Sequence, residues 1–252
     1  MPHGAALDHL IHWTDDLART RAAYDAAALP TQAALTMPGF SNAAWGIDDE
    51  RYVELATVDD WEAAATSIYA GSLGILRPAI AAMSGPGLVT FAVNVPDAPA
   101  TAARLRTEGR QVDEIAVRLE EHDAGFVEVF VRDAPSYFPF FITYDPPRAE
   151  IGRMRAEHRA AEGISLDGRP DLVALLVASP APETDARLLG DLVQCPVAGT
   201  TVTIPDAEVR FHRGETAGIY GIAVRGPDLP AGPIDVDGMT VIVEQASHTA
   251  RS

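Results

Sequence analysis

One carboxylate stands alone inside an apolar strand of this sequence. Glu128 is the only polar residue of the segment Phe126–Phe130. A buried carboxylate costs free energy unless it is paired, bound to a ligand or protonated. Glu128 is therefore a candidate general base, a candidate metal ligand, or an outward-facing residue of a half-exposed strand. Period-two alternation aims it to one face of the strand, together with Phe126 and Phe130.

Other familiar catalytic motifs are missing from the sequence. It contains no GxSxG elbow, no phosphate-binding Gly-Lys loop, no HExxH and no paired CxxC. Serine hydrolase, nucleotide hydrolase, zincin and zinc-finger functions therefore lack support. The one cysteine, Cys195, precedes Pro196 with no evident base beside it, which favours a buried small hydrophobe.

The charge balance and the cysteine count limit the partners and the compartment. The chain has 36 acidic residues against 19 basic ones, all of them Arg, for a net charge of −17. Such a chain is repelled by nucleic acid and by anionic membranes, so the expected partner is a small molecule. A single cysteine forms no internal disulfide and the N-terminus shows no export signal, which predicts a cytoplasmic protein. A homodimer remains open.

Three segments of the 252-residue chain repeat one pattern. They begin at Leu7, Gly87 and Pro170, and each reads as an apolar strand, a Pro or Asp break and a helix, followed by two or three strands. This order predicts an α+β fold built from related units. A charged helix beginning at Arg148 lies between the second unit and the third.

Several stretches of the sequence resemble a known family. The Leu-Asp-His opening at Leu7 to His9, the stretch from Pro38 to Leu55 and the PFFITYD run from Pro139 to Asp145 are similar to the glyoxalase-like branch of the vicinal oxygen chelate superfamily. The resemblance implies tandem βαβββ modules that pair into a half-open β-barrel around a small-molecule cavity.

The resemblance also implies a division of the chain. Residues 1–147 would hold the paired modules, at about 7–57 and 87–145. Residues 148–170 would form a helical linker, and residues 171–252 a third, divergent and incomplete module.

A metal site is implied by the same resemblance. The family places one metal ligand on the first strand of a module and one on its last strand, which are His9 and Glu54 here. Imidazole and carboxylate suit Fe, Mn, Ni or Zn. The corresponding second-module positions hold Thr90 and Thr143, which are poor metal ligands, so only two strong ligands carry over and the metal is in doubt. The alternative is that His9 is a core histidine and Glu54 a rim carboxylate.

Further residues are candidates for contact with a substrate. Asn42 lies where the family often carries a polar residue facing the cavity. Trp45 and Phe141 would line the pocket with Thr90 and Thr143, although aromatic strand residues are more often plain core.

Two classes of function follow. In the first, an enzyme uses Glu128 and Glu54 as catalytic groups in metal-assisted proton transfer, as an isomerase or lyase, or performs oxygenation as a dioxygenase. In the second, the protein is a metal-free small-molecule binding or drug-sequestration protein. Retention of His9, Glu54 and Asn42 favours the first class, and the loss of second-module ligands favours the second.

Overall fold

The computed structural model describes residues 4–120, 123–161, 163–226 and 232–244. Its first two repeat units form one sheet. The first unit comprises β1 (Ala6–Trp13), α1 (Leu17–Ala26), β2 (Gln32–Met37), β3 (Phe40–Gly46) and β4 (Tyr52–Val58). The second comprises β5 (Gly87–Asn94), α4 (Ala98–Thr107), β6 (Val112–Leu119), β7 (Ala124–Val131) and β8 (Phe140–Asp145). The short helices α2 (Trp61–Ala64) and α3 (Ala70–Ala81) connect them.

These strands make an eight-stranded sheet, sheet A, in the order β2-β3-β4-β1-β5-β8-β7-β6. Within each unit the first and last strands pair in parallel, β1 with β4 and β5 with β8. The two units meet through the antiparallel pair β1 and β5 at the centre of the sheet. The two expected modules thus pair into one curled, half-open barrel.

Helix α5 (Arg148–Ala161) follows β8 and leads to the C-terminal region. This region comprises β9 (Asp171–Ser179), α6 (Pro182–Val193), β10 (Val197–Ala198), β11 (Thr201–Ile204), β12 (Ala207–Arg213), β13 (Gly218–Arg225), β14 (Ile234–Val236) and β15 (Met239–Val243). The end of the predicted third module, residues 245–252, lies outside the described residues.

The C-terminal strands form a second sheet, sheet B, in the order β10-β11-β12-β9-β13-β15-β14. Here β9 pairs in parallel with β12 and antiparallel with β13, as β1 pairs with β4 and β5. β13 therefore occupies the position that β5 has in sheet A. β13 also pairs in parallel with β15, as β5 pairs with β8 in sheet A.

Local sequence explains the helix starts and the division of the core. Asp16 and Asp97 cap α1 and α4 by accepting hydrogen bonds from the backbone N–H groups of Arg19 and Ala100. One face of sheet A packs against these helices and joins sheet B in a shared apolar core, where the rings of Phe138 and Phe211 lie 6.1 Å apart. The other, concave face carries a separate apolar cluster and the polar residues described below. Among the described residues, the helices are all too short or too polar to span a lipid bilayer.

Candidate active site

A cavity of about 990 Å³ opens on the concave face of sheet A. Strands β1, β4 and β7 supply His9, Glu54 and Glu128 to its lining. Tyr69, just before α3, and residues of α5 close its sides. The cavity therefore brings sequence-distant acid and base groups into one space.

A bulge in β1 presents two consecutive side chains to this cavity side of the sheet. Leu7 pairs with Val93 and Leu10 pairs with Phe91, so β1 has one residue more than β5 between these two pairings. The extra residue interrupts the usual alternation of faces at Asp8 and His9. As a result, Asp8 Oδ1 lies 2.7 Å from His9 Nδ1, and both side chains are buried.

Asp8 fixes the imidazole of His9. Burial alone would raise the pKa of Asp8, but the hydrogen bond with His9 and the charges of His9 and Arg148 hold it below its ordinary value. The ionised carboxylate can only accept hydrogen bonds, so Nδ1 of His9 donates. Tyr144 Oη also donates to Asp8 Oδ1 over 2.7 Å, and Arg148 Nε lies 3.0 Å from Asp8 Oδ2. Nε2 is the imidazole nitrogen left for chemistry.

His9 and Glu54 meet, as the sequence predicts. Nε2 of His9 lies 3.8 Å from Oε2 of Glu54 across the parallel pair of β1 and β4. Asn42 on β3 donates from Nδ2 to Glu54 Oε1 over 2.6 Å, while its Oδ1 accepts the backbone N–H of Leu35. Asn42 thus orients the catalytic candidate Glu54 as well as lining the cavity.

Glu128 lies in the cavity lining and is almost completely buried. Ser72 on α3 donates a hydrogen bond to it. Burial, helped by the charge of Glu54, raises the pKa of Glu128 to about 7. The hydrogen bond from Ser72 and the charge of His9 act in the opposite direction and are weaker than burial. The outward-facing alternative for Glu128 is therefore wrong. A carboxyl group with this pKa can both give and take a proton near neutrality.

The comparisons with known proteins agree with this architecture. The model of the glyoxalase-like domain matches residues 7–193. The chain belongs to the glyoxalase-like domain family. The resemblance to the vicinal oxygen chelate superfamily is thereby confirmed.

Solved structures show the same fold at low sequence identity. A hypothetical protein from Staphylococcus aureus is 16% identical, with a TM-score of 0.76 over 96% of this glyoxalase-like chain and 100% of its own. A mutant of 4-hydroxymandelate synthase from Streptomyces coelicolor is 11% identical, with a TM-score of 0.53 over 90% of this chain and 72% of its own. No protein of curated function matches the chain by sequence.

Three residues predicted to contact substrate lie on the other face of sheet A of this glyoxalase-like protein. Trp45 is fully buried in the core shared with α1, with its ring 6.4 Å from that of Tyr24. Phe141 is buried in the same core. Thr143 Oγ1 accepts the backbone N–H of Ala98 at the start of α4 and donates to the carbonyl of Val95. None of them lines the cavity, so the prediction that these three residues contact the substrate is wrong.

Thr90 borders a different and smaller cavity of about 510 Å³, between α3 and the end of β7. Its hydroxyl donates to the carbonyl of Phe138 over 2.7 Å and is buried. The side chain therefore does not reach the space shared by His9 and Glu128, which corrects its predicted place beside them.

The donor set of this glyoxalase-like protein does not fit a divalent metal. A catalytic metal typically takes three protein ligands, and His9 and Glu54 supply two. Within the described ranges, no three His, Cys, Asp or Glu side chains come close enough together to hold an ion. Thr90 and Thr143, at the second-module positions, are occupied by hydrogen bonds to the backbone.

Sequence reasoning missed several residues of the site. Asp8 belongs to the Leu-Asp-His opening but received no role, because period-two alternation places it opposite His9. Tyr144 follows the PFFIT run and was read only as family pattern. Arg155 lies on α5, in the predicted helical linker, and this helix also forms part of the cavity wall.

Proposed function

We propose that this protein is an enzyme that transfers a proton at a carbon atom next to a carbonyl group of a small molecule, as an isomerase or lyase. The observation that carries the proposal is the shared cavity of His9, Glu54 and Glu128. Proton transfer of this kind needs a base to remove the proton and an acid to stabilise or reprotonate the product.

Side chains on different strands act as the base and as the acid. Glu128, on β7, removes or returns the carbon-bound proton, since its raised pKa lets both forms coexist near neutrality. His9 Nε2, on β1, donates a hydrogen bond or a proton to the carbonyl oxygen as negative charge develops there. Asp8 stabilises the imidazolium that this requires, in the manner of a carboxylate behind a catalytic histidine.

Glu54 acts beside His9. Its carboxylate, held by Asn42, places a negative charge 3.8 Å from Nε2 of His9. None of these steps uses a metal ion. His9 and Glu54, which meet here, are two metal donors, and a catalytic metal typically needs three. Metal-assisted lyase and dioxygenase chemistry, considered from the sequence, is for that reason not part of the proposal.

A second candidate function is metal-free binding or sequestration of a small molecule. It is favoured by the aromatic lining, in which Phe126 stacks on Tyr69 at 5.8 Å and meets Tyr144 edge-on at 6.2 Å. This candidate predicts tight binding of aromatic compounds without chemical change and without dependence on Glu128.

Exchange of carbon-bound hydrogen for solvent deuterium tests the proposal. The protein in D₂O is incubated with 2-oxobutanoate and with its neutral amide, and exchange at carbon 3 is followed by proton NMR. We expect enzyme-dependent exchange that falls at least about 100-fold in Glu128→Gln and His9→Gln. The exposed Glu114→Gln serves as the matched control and should keep the wild-type rate. Wild-type protein that accelerates exchange of neither compound would contradict the proposal.

A further inference from the structure

The α5 side of the cavity and its mouth are rich in arginine, although the protein is strongly acidic. Arg51 pairs with Asp48 at 2.6 Å, Arg148 lies 3.0 Å from Asp8, and Arg159 pairs with Asp49. Each of these guanidinium groups has a carboxylate partner within the protein. They are structural ion pairs that hold α5 and the β3–β4 turn in place.

Arg155 differs from these neighbours. It lines the cavity from α5 and, across the described parts of the chain, has no carboxylate within 4.0 Å. It donates to the carbonyl of Glu50 over 3.3 Å, lies over the ring of Tyr52 at 4.6 Å, and also interacts with the hydroxyl of Tyr52. A guanidinium group stays charged, and this half-buried one has no ion-pair partner among the described residues, although the Asp8 carboxylate attracts it from a longer distance. An anion in the cavity would supply the missing partner.

Arg155 is also close to the acid and base groups. The ring of Tyr52 contacts its guanidinium and stacks on the imidazole of His9, with ring centroids 4.7 Å apart. The guanidinium carbon of Arg155 and the imidazole centroid of His9 are therefore no farther apart than the sum of these two distances to the Tyr52 ring. This separation suits an acid in which only a few atoms lie between the anionic group and the reacting carbon.

We propose that Arg155 binds a carboxylate of the substrate, which makes the substrate class small carboxylic acids with a carbonyl group near the acid function. This inference rests on the proposed function and adds the substrate class to it. A carboxylate matches the planar fork of one guanidinium. A phosphate, with up to two charges, fits less well because Glu54 and Glu128 lie in the same cavity and Arg155 is the single unpaired cation there among the described residues.

Binding of matched probes tests this assignment. Isothermal titration calorimetry compares benzoate, benzamide and phenyl phosphate, which share an aromatic ring and differ in the group offered to Arg155. Wild-type protein should bind benzoate at least about tenfold more tightly than the other two. Arg155→Met keeps an unbranched stem as far as the position of Nε and removes the charged group, so benzoate affinity should fall at least about tenfold and benzamide affinity should not change.

Controls separate this proposal from the proton-transfer proposal. Arg153→Met on the same helix changes an exposed residue that pairs with Glu157, and it should bind benzoate as wild type does. His9→Gln and Glu128→Gln should still bind benzoate even though exchange falls at least about 100-fold. Arg155→Lys keeps the positive charge but not the planar guanidinium, so it should retain part of the benzoate affinity. This variant replaces Arg155→Met in the test if the latter folds poorly.

Several results would overturn the proposal. These are equal benzoate affinity in wild type and Arg155→Met, wild-type affinity for benzamide equal to that for benzoate, or no benzoate binding at all. If phenyl phosphate binds more tightly than benzoate, the group that Arg155 binds is a phosphate and not a carboxylate. Absence of exchange activity in the wild-type protein, with its benzoate binding intact, would count against the proton-transfer proposal instead.

Discussion

Asp8 and His9 are consecutive residues, yet Oδ1 of Asp8 lies 2.7 Å from Nδ1 of His9 inside the protein. The bulge in β1 makes this contact possible, because a regular strand would aim the two side chains at opposite faces. The contact selects which imidazole nitrogen faces Glu54. The chemistry of the cavity thus depends on one extra residue in a strand.

Substitution of Asp8 by Asn tests this dependence. The amide keeps the size of the side chain but loses the charge that stabilises the imidazolium, so exchange should fall between about 10²- and 10⁴-fold. Deuterium exchange of 2-oxobutanoate measures the rate, and circular dichroism checks the fold. Asp15→Asn changes an exposed acid that pairs with Arg19, and should leave the rate unchanged. An Asp8→Asn protein that is folded and fully active would refute the role given to Asp8.

The buried carboxyl of Glu128 makes a pH-dependent contribution to stability. Burial raises the pKa of Glu128 from an ordinary value of 4.5 to about 7, so between these pH values the folded protein binds more protons than the unfolded chain. This contribution is present at acidic pH and is lost as pH rises through about 7. Relative to Glu128→Gln, wild type should lose about 3 kcal/mol of unfolding free energy between pH 4.5 and pH 8.

Urea denaturation of the two proteins across this pH range measures the difference. Glu114→Gln, in which the carboxyl removed is exposed, should follow the wild-type curve. A constant difference between wild type and Glu128→Gln would show that Glu128 ionises as freely as a carboxyl in water.

Removal of metal should not stop proton transfer. His9 and Glu54 are two donors, and the described residues bring no third one to them. After dialysis against a strong chelator, the exchange rate should therefore equal that of untreated protein, with metal content checked by mass spectrometry. A rate that disappears on chelation, returns with one divalent ion and is absent in His9→Ala would establish a metal enzyme.

Thr143 should affect stability and not ligand binding. Its hydroxyl joins the N–H of Ala98 to the carbonyl of Val95, away from the cavity. Thr143→Val leaves these buried groups without a partner and should cost about 1–3 kcal/mol of unfolding free energy. Benzoate affinity, measured in the same preparations, should match wild type. Weaker benzoate binding with unchanged stability would return Thr143 to the substrate site.

Much of the architecture could be predicted from the repeated order of strand and helix. The meeting of His9 and Glu54 was predicted from the family resemblance, and the parallel pairing of β1 with β4 brings it about. Glu128 was singled out because burial of a lone carboxylate is costly, but the sequence left open that it faces outward, and only the structure decides between the two.

Trp45, Phe141 and Thr143 were wrongly predicted to line the cavity because the wrong face of each strand was assigned to it. Asn42 faces the cavity, so alternation along β3 aims Trp45, three residues later, at the opposite face. Phe141 and Thr143 are two residues apart and share a face, so one wrong choice affected both. Asp8 could not be found by alternation, because the bulge breaks it, and Arg155 lies on a helix outside the repeated units.

We expect the Glu128 carboxyl to hold a proton near neutral pH inside the cavity. Infrared difference spectra, recorded on wild type and Glu128→Gln between pH 5 and pH 9, detect the carbonyl stretching band of a protonated buried carboxyl. We expect one such band that disappears in wild type with a midpoint near pH 7 and is absent from Glu128→Gln at every pH. A wild-type spectrum identical to that of the variant above pH 5 would contradict the account.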